Sequence, residues 1–163
     1  MTEPLRTLRL DLVPLRVEHA GEMAAVLADP ALHTFIGGSP ATPEALRARY
    51  ERLVAGSPDP EVSWHNWVLR LRAEDRLVGT VQATVTARSA EIAWVVGTAW
   101  QGRGLATEAA RALVDRLRDQ PAMESVIAHV HPGHTASAAV ARAAGLTPTE
   151  ERQDGEIRWL LKP

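Results

Sequence analysis

The sequence predicts an α/β fold of the α+β kind: one twisted, mixed, mostly antiparallel sheet of about seven strands with about four helices packed on it. Three observations carry this. Strand-like runs follow one another between Trp64 and Val96, separated only by short polar turns, as in antiparallel neighbours. A strong amphipathic helix over 105–117 stands between strands ending at Val96 and starting at Val126, which implies a right-handed crossover and a locally parallel pair. The full order, β-α-α-β-β-β-α-β-α-β-β, mixes both kinds of unit.

The elements follow in chain order. Leu8, Leu10 and Leu12 alternate with Arg9 and Asp11 as a half-buried strand, stopped by Pro14. Val17 to Leu27 carries Met23, Val26 and Leu27 at helical spacing and ends at Asp29-Pro30. His33 to Pro40 reads as a loop. Thr42 caps a second helix with Pro43 at its first position, running to about Val54. Trp64–Leu71 and Leu77–Thr86 flank Glu74-Asp75-Arg76 as a hairpin, and Glu91–Val96 follows a turn at Arg88-Ser89. The helix over 105–117 lines up Leu105, Ala109, Ala112, Leu113 and Leu117. Val126–Val130 is a strand, Thr135–Ala144 a helix capped by Gly145, and Glu156–Leu161 a closing strand after the Asp154-Gly155 turn.

With 163 residues, the length suits a single domain spanning 1–163, large enough for a core without metals or disulfides. The net charge of −2 gives no broad attraction to a polyanion, so nucleic acid is not an expected partner. There is no cysteine, which excludes a disulfide framework, a thiolate metal site and a cysteine nucleophile. MTEPLRTLRLDLVPL lacks the apolar core of a secretory signal, and no run reaches the roughly 18 apolar residues of a membrane span, so a cytoplasmic protein with no membrane partner is expected.

The densest chemical signal is the run from Val96 to Ala106, where a strand ends, a glycine-punctuated turn follows and the strong helix begins. The first amides of such a helix lack intrahelical partners and sit at the positive end of its dipole. Gly102 and Gly104 let a ligand approach the bare backbone, and a pyrophosphate suits such a place. The glycines alone suit an ordinary tight turn better than a ligand site. No Gly-Lys-Ser/Thr follows, so this is not a P-loop, and the three glycines of the dinucleotide fingerprint are missing.

Gln101-x-x-Gly104-x-Ala106 resembles the Q/R-x-x-G-x-G/A signature of the GNAT superfamily of acetyl-CoA-dependent N-acetyltransferases. Glu91 to Val96, Ala106-Thr107-Glu108-Ala109 and the block from Ala128 to Leu146 resemble its RimJ/RimL-like branch, and the element order is that of the fold. The resemblance covers nearly the whole chain. It implies a sheet splayed between the fourth and fifth strands, with the pantetheine arm of acetyl-CoA in the gap. Val95 and Val96 would then pair with the arm, and the amides of Gln101, Gly102, Arg103, Gly104, Leu105 and Ala106 would hold the pyrophosphate. His134 and Ser137 fall at further cofactor positions.

The implied reaction is direct attack of an amine on the acetyl thioester, with the amine on a small molecule or a peptide N-terminus. It needs a base for the ammonium, a donor for the developing oxyanion and a proton for the thiolate. Glu91 is the candidate base, or else an exposed strand-edge carboxylate. A strand amide near Val96 is the implied oxyanion donor. Relatives carry a tyrosine acid, but here that position is Ala141 and the preceding asparagine is His134, which leaves Ser137 as a proton relay or sulfur contact. The one tyrosine, Tyr50, reads as a packing residue of the second helix.

His129, His131 and His134 form H-x-H-x-x-H on a strand end and loop. No carboxylate or cysteine lies close in sequence, so no metal is assigned. Acid/base work or substrate contact by His129 or His131 is the alternative to plain hydrogen bonding. His65 is a candidate for the acceptor cleft, and Phe35 for a wall of it. An enzyme is the leading reading, with a non-catalytic acyl-CoA-binding sensor as the competing one. A homodimer is compatible with the resemblance.

Overall fold

The computed structural model describes residues 2–163. Eight strands form one sheet: β1 (Leu5–Arg6), β2 (Leu10–Pro14), β3 (Val62–Leu71), β4 (Arg76–Thr86), β5 (Ser89–Val96), β6 (Ser125–Val130), β7 (Thr147–Gln153) and β8 (Glu156–Leu161). Five helices accompany them: α1 (Ala20–Val26), α2 (His33–Ile36), α3 (Pro43–Ala55), α4 (Leu105–Arg118) and α5 (Thr135–Ala143). The spatial order is β1-β2-β3-β4-β5-β6-β8-β7, antiparallel throughout except for β5 and β6. The mixed, mostly antiparallel class is as expected. The counts rise from seven and four because β1 spans only two residues and α2 only four, too short to show a period.

Leu8 corrects the reading of the first strand. It shares parity with Leu10 and Leu12, yet it is 86% exposed and precedes β2. Thr7 turns the chain there, its N–H donating to the Leu10 carbonyl and its hydroxyl oxygen accepting from the Leu10 N–H. Local capping matches the sequence. Thr42 Oγ1 accepts from Ala45 N at 3.1 Å at the start of α3. Gly145 follows α5 at φ +100°, and the Leu146 N–H closes on the Ala141 carbonyl.

Helices cover the sheet on both faces. On one side α4 and α5 bury Leu105, Leu113, Leu117 and Ala141 against Leu12, Trp67, Ile92, Val126 and Trp159. On the other, α1 and α3 bury Met23, Leu46 and Tyr50 against Val68 and Leu77. Leu77 and Val81 would share a face in a regular strand. They lie in opposite cores because the register slips at Leu69/Arg70, leaving Val78 as an extra residue in β4. Gly79 follows that bulge. A Cβ there would stand 2.2 Å from the Val95 carbonyl oxygen, so only glycine lets β4 approach β5 this closely.

Candidate active site

The parallel ladder between β5 and β6 is short. It runs Ser89↔Ser125, Ala90↔Val126, Glu91↔Ile127 and then stops. Beyond Glu91, β5 stays paired with β4 as far as Val96, and β6 stays paired with β8 as far as Val130. The two strands therefore part into a fork whose inner edges carry backbone groups. The expected splay lies here, between the fourth and fifth strands of the sequence reading.

Adjacent residues of a strand turn their peptide groups to opposite edges. The Gly97 N–H donates to the Val78 carbonyl at 2.8 Å, and the Val95 carbonyl faces Gly79, so the odd-numbered residues address β4. Trp94 and Val96 therefore turn their peptide groups into the fork. The Val96 carbonyl accepts from Gln101 Nε2 at 3.0 Å, which ties the turn back to the strand. Of the two valines, Val96 presents backbone to the gap, and Val95 spends its own within the sheet.

The turn that follows is held from several sides. Thr98–Trp100 forms a single 3-10 turn. Glu74 accepts from Trp100 Nε1 at 3.1 Å and pairs with Arg103 at 2.8 Å, and these two donors hold its carboxyl below the usual carboxylate range. Arg9 donates to the Arg103 carbonyl at 2.8 Å and to Glu108 Oε1 at 2.8 Å. Glu108, in the first turn of α4, also accepts from Thr7 Oγ1 at 2.5 Å. Gly102 and Gly104 sit at φ +79° and +77°, a left-handed conformation that residues with a Cβ adopt at a cost. No side chain caps α4, and its first intrahelical bond is Glu108 N–H to the Gly104 carbonyl. The amides of Leu105, Ala106 and Thr107 thus open at the positive end of a 14-residue helix. The residues here fit a diphosphate: a bare cradle, space around Gly102, and neighbouring carboxylates already engaged by arginine.

At the crotch of the fork stands Glu91, its side chain 48% exposed. Its carboxylate meets His129 Nδ1 across the gap. His129 is nearly enclosed, at 9%, and its Nε2 accepts from Arg158 Nε of β8 at 3.4 Å. Both side chains lie on the face opposite α4, because Ala90, Ile92, Val126 and Ala128 fill the core on the α4 side.

At the open end of the fork, Phe35 of α2 stacks on His134 at 4.3 Å and 11°, and meets His131 at 5.2 Å. His131 Nδ1 accepts from Gly133 N–H at 2.9 Å, which shapes the β6–α5 loop. Burial pushes the His134 imidazole below its ordinary range, helped by the charge of His131. Ser137 lies one turn before the fully buried Ala141, on the same stripe of α5.

His65 is not brought to the fork. Its register partners are Ala83 and, through it, Ile92, all on the α4 face, where Thr2 caps its Nδ1 and its ring lies 6.4 Å from Trp67. Tyr50 is buried in the other core, its hydroxyl pushed up to about 12 by desolvation. Sequence reasoning missed Arg158, Arg9, Glu74 and Glu108, each joined to the site by a partner at least 26 residues away. Among the described residues, no group of three or more His, Cys, Asp or Glu is placed to hold a metal, and no helix is long and apolar enough to cross a membrane.

Comparison with known proteins agrees with this geometry. An acetyltransferase from Bacillus anthracis described as of the GNAT family superposes with a TM-score of 0.81 at 18% identity, over 98% of each chain. RimL, a ribosomal L7/L12 alpha-N-protein acetyltransferase solved with coenzyme A, gives 0.79 at 15% identity, again over 98% of each. An aminoglycoside acetyltransferase, AAC(6')-Ib, solved with coenzyme A and kanamycin, gives 0.73 at 16% identity over 94% of each. No curated protein sequence matches the chain. The family model described as an acetyltransferase (GNAT) domain matches residues 9–147, from β2 to the start of β7 and across the whole fork. The chain belongs to the GNAT acetyltransferases and is an N-acetyltransferase that uses acetyl-CoA.

Proposed function

We propose that this enzyme moves the acetyl group to a primary amine of a small molecule or of a peptide N-terminus by direct attack, with Glu91 as the base. One observation carries the reading: the fork opens at Glu91, so the exposed carboxylate stands where the two strands begin to part. Acetyl-CoA supplies the activated thioester. The chain's residues supply the rest. The open amides from Gly102 to Ala106 hold the diphosphate, and the gap-facing peptide edges of Trp94 and Val96 pair with the extended arm.

Glu91 takes the proton that the ammonium must lose before nitrogen can attack. The Val96 N–H donates to the oxygen that gains charge as the new C–N bond forms. The C–S bond then breaks as the nitrogen gives up its second proton, and that proton goes to the leaving thiolate with Ser137 as the candidate relay. Phe35, His131 and His134 form one wall of the acceptor entrance. The amine class draws support from the similar enzymes, one named for a ribosomal protein and one for aminoglycosides.

The acceptor amine sits on a small molecule or on a peptide N-terminus, and in either case the buried Ala141 offers no tyrosine to protonate the sulfur. One assay separates the two. Acetyl-CoA is incubated with kanamycin, with a peptide beginning in serine and with simple diamines, and free thiol is followed. Release above background hydrolysis with any of them is expected. Calorimetric binding of coenzyme A with no release from any acceptor would overturn the amine classes proposed, and no binding would overturn the cradle.

A further inference from the structure

We propose that His129 and Arg158 are positioning residues that hold Glu91 as a directed proton acceptor; this rests on the reading of Glu91 as the base. The three side chains come from three strands. Glu91 is the last residue of β5 paired with β6, opposite Ile127. His129 lies two residues further along β6, on the same face as Ile127, so it leans back across the crotch of the fork. Arg158 is its direct register partner on β8. Arg158 is itself anchored, donating to Glu151 Oε2 at 3.2 Å and facing Gln153 Oε1 at 3.5 Å.

Donor and acceptor logic fixes the tautomer. A guanidinium only donates. Arg158 Nε therefore requires a lone pair on His129 Nε2, which places the imidazole proton on Nδ1. Nδ1–H then donates to Glu91 Oε1. Enclosure of the His129 ring keeps water from competing for that bond, whereas half the Glu91 side chain stays open. The effect is to pin one carboxylate oxygen and leave Oε2 turned to the acceptor side. A free glutamate at a strand edge samples several rotamers, and the wrong ones put its oxygens out of reach of the amine. His129 is thereby spent on orientation. It makes no contact of its own with the acceptor.

The test has two arms. The first uses the full chain labelled with nitrogen-15 in histidine and needs no acceptor. His129 should show a protonated Nδ1 and an unprotonated Nε2, and Arg158→Leu should move it toward the other tautomer or an even mixture. A protonated Nε2 in the parent protein would overturn the proposal. The second arm follows thiol release with kanamycin or the serine peptide. His129→Leu should lower kcat about 10-fold with the KM for acetyl-CoA unchanged, as a lost orienting contact does. His129→Asn, whose amide N–H can stand where Nδ1–H stood, should recover to within about 3-fold of the parent. Equal loss in both variants would show a packing role only. If Glu91→Gln leaves kcat untouched, the base assignment fails, yet the tautomer measurement still decides whether the three-strand chain exists.

Discussion

Two parts of the fork are built from different materials. The β5–α4 arm is made of backbone: Val96, two left-handed glycines and the first turn of α4, all within 12 residues of chain. The crotch, where β6 and β8 meet β5, is made of side chains, Glu91 of β5, His129 of β6 and Arg158 of β8, spread over 68 positions and meeting only through sheet register. A diphosphate and an extended arm can be held by peptide groups, which every residue carries. A base has to be one particular side chain in one orientation. The first part is therefore fixed by where the chain can bend, and the second by which residues the sheet makes neighbours.

That contrast breaks most readily at Gly79. Its Cβ position overlaps the Val95 carbonyl, a backbone atom on the edge of β5 that is paired with β4 along its whole length. Gly79→Ala should cost about 3 kcal/mol, because two backbones must part and neither is a flexible side-chain tip. Urea unfolding should show a clearly lower midpoint, together with weakened coenzyme A binding. An unchanged midpoint would mean that β4 and β5 separate freely.

Glu91→Gln sharpens the comparison from the other side. The amide keeps an acceptor for His129 Nδ1 and loses only the capacity to take a proton. We expect kcat to fall about 100-fold, at the low end of what a positioned base contributes. Affinity for coenzyme A, measured by calorimetry, should not change, since the Glu91 side chain takes no part in the backbone cradle. Loss of affinity would join the two parts that the structure keeps apart.

Gly104 distinguishes geometry from bulk. Around it lies only Arg9, 3.5 Å from the Cβ position, so the demand is conformational: φ is +77°. Gly104→Val should therefore destabilise the fold by about 1–2 kcal/mol as well as weaken coenzyme A binding. Gly104→Asn should hold the fold nearly intact, since asparagine tolerates that region. Equal thermal stability of the two variants would sink the conformational account.

How far the sequence is legible follows the same division. The α4 cradle, the Thr42 cap and the turns at Asp154-Gly155 and Gly145 are readable because each is specified by neighbours a few residues apart. The fork position was readable through Gln101-x-x-Gly104-x-Ala106, which sits directly after β5. Leu8 misled because alternation cannot tell a strand from the turn leading into it. β7 is a polar edge strand with Pro148 in it, and its bounds are visible only from its pairing with β8. Arg158 carried no local signal, since its meaning depends on lying opposite His129. His65 looked like a cleft residue beside Trp64 and Asn66, but the register of β3 turns it to the α4 face.

Acid should separate the two arms by pH. His134, stacked on Phe35, has an imidazole held below its ordinary 6.5 by burial and by His131. The unfolded chain takes up that proton more readily, so the contribution of His134 to stability is whole above pH 6.5 and is lost as pH falls below it. Glu108 behaves differently. Burial pushes its carboxyl up, but the hydrogen bonds from Thr7 and Arg9 outweigh this and leave it below 4.5. Its contribution persists above 4.5 and is lost only as pH falls through that depressed value. Amide exchange, corrected for the intrinsic rate at each pH, should therefore lose protection first at residues 33–37 and 131–135, as pH falls below 6.5. Residues 104–108 should follow only below pH 4.5. Removing the imidazole in His134→Asn should erase the earlier step and leave the later one in place. Simultaneous loss at both segments would mean that the entrance and the cradle open as one unit, and that the division between a backbone arm and a side-chain arm does not extend to their stability.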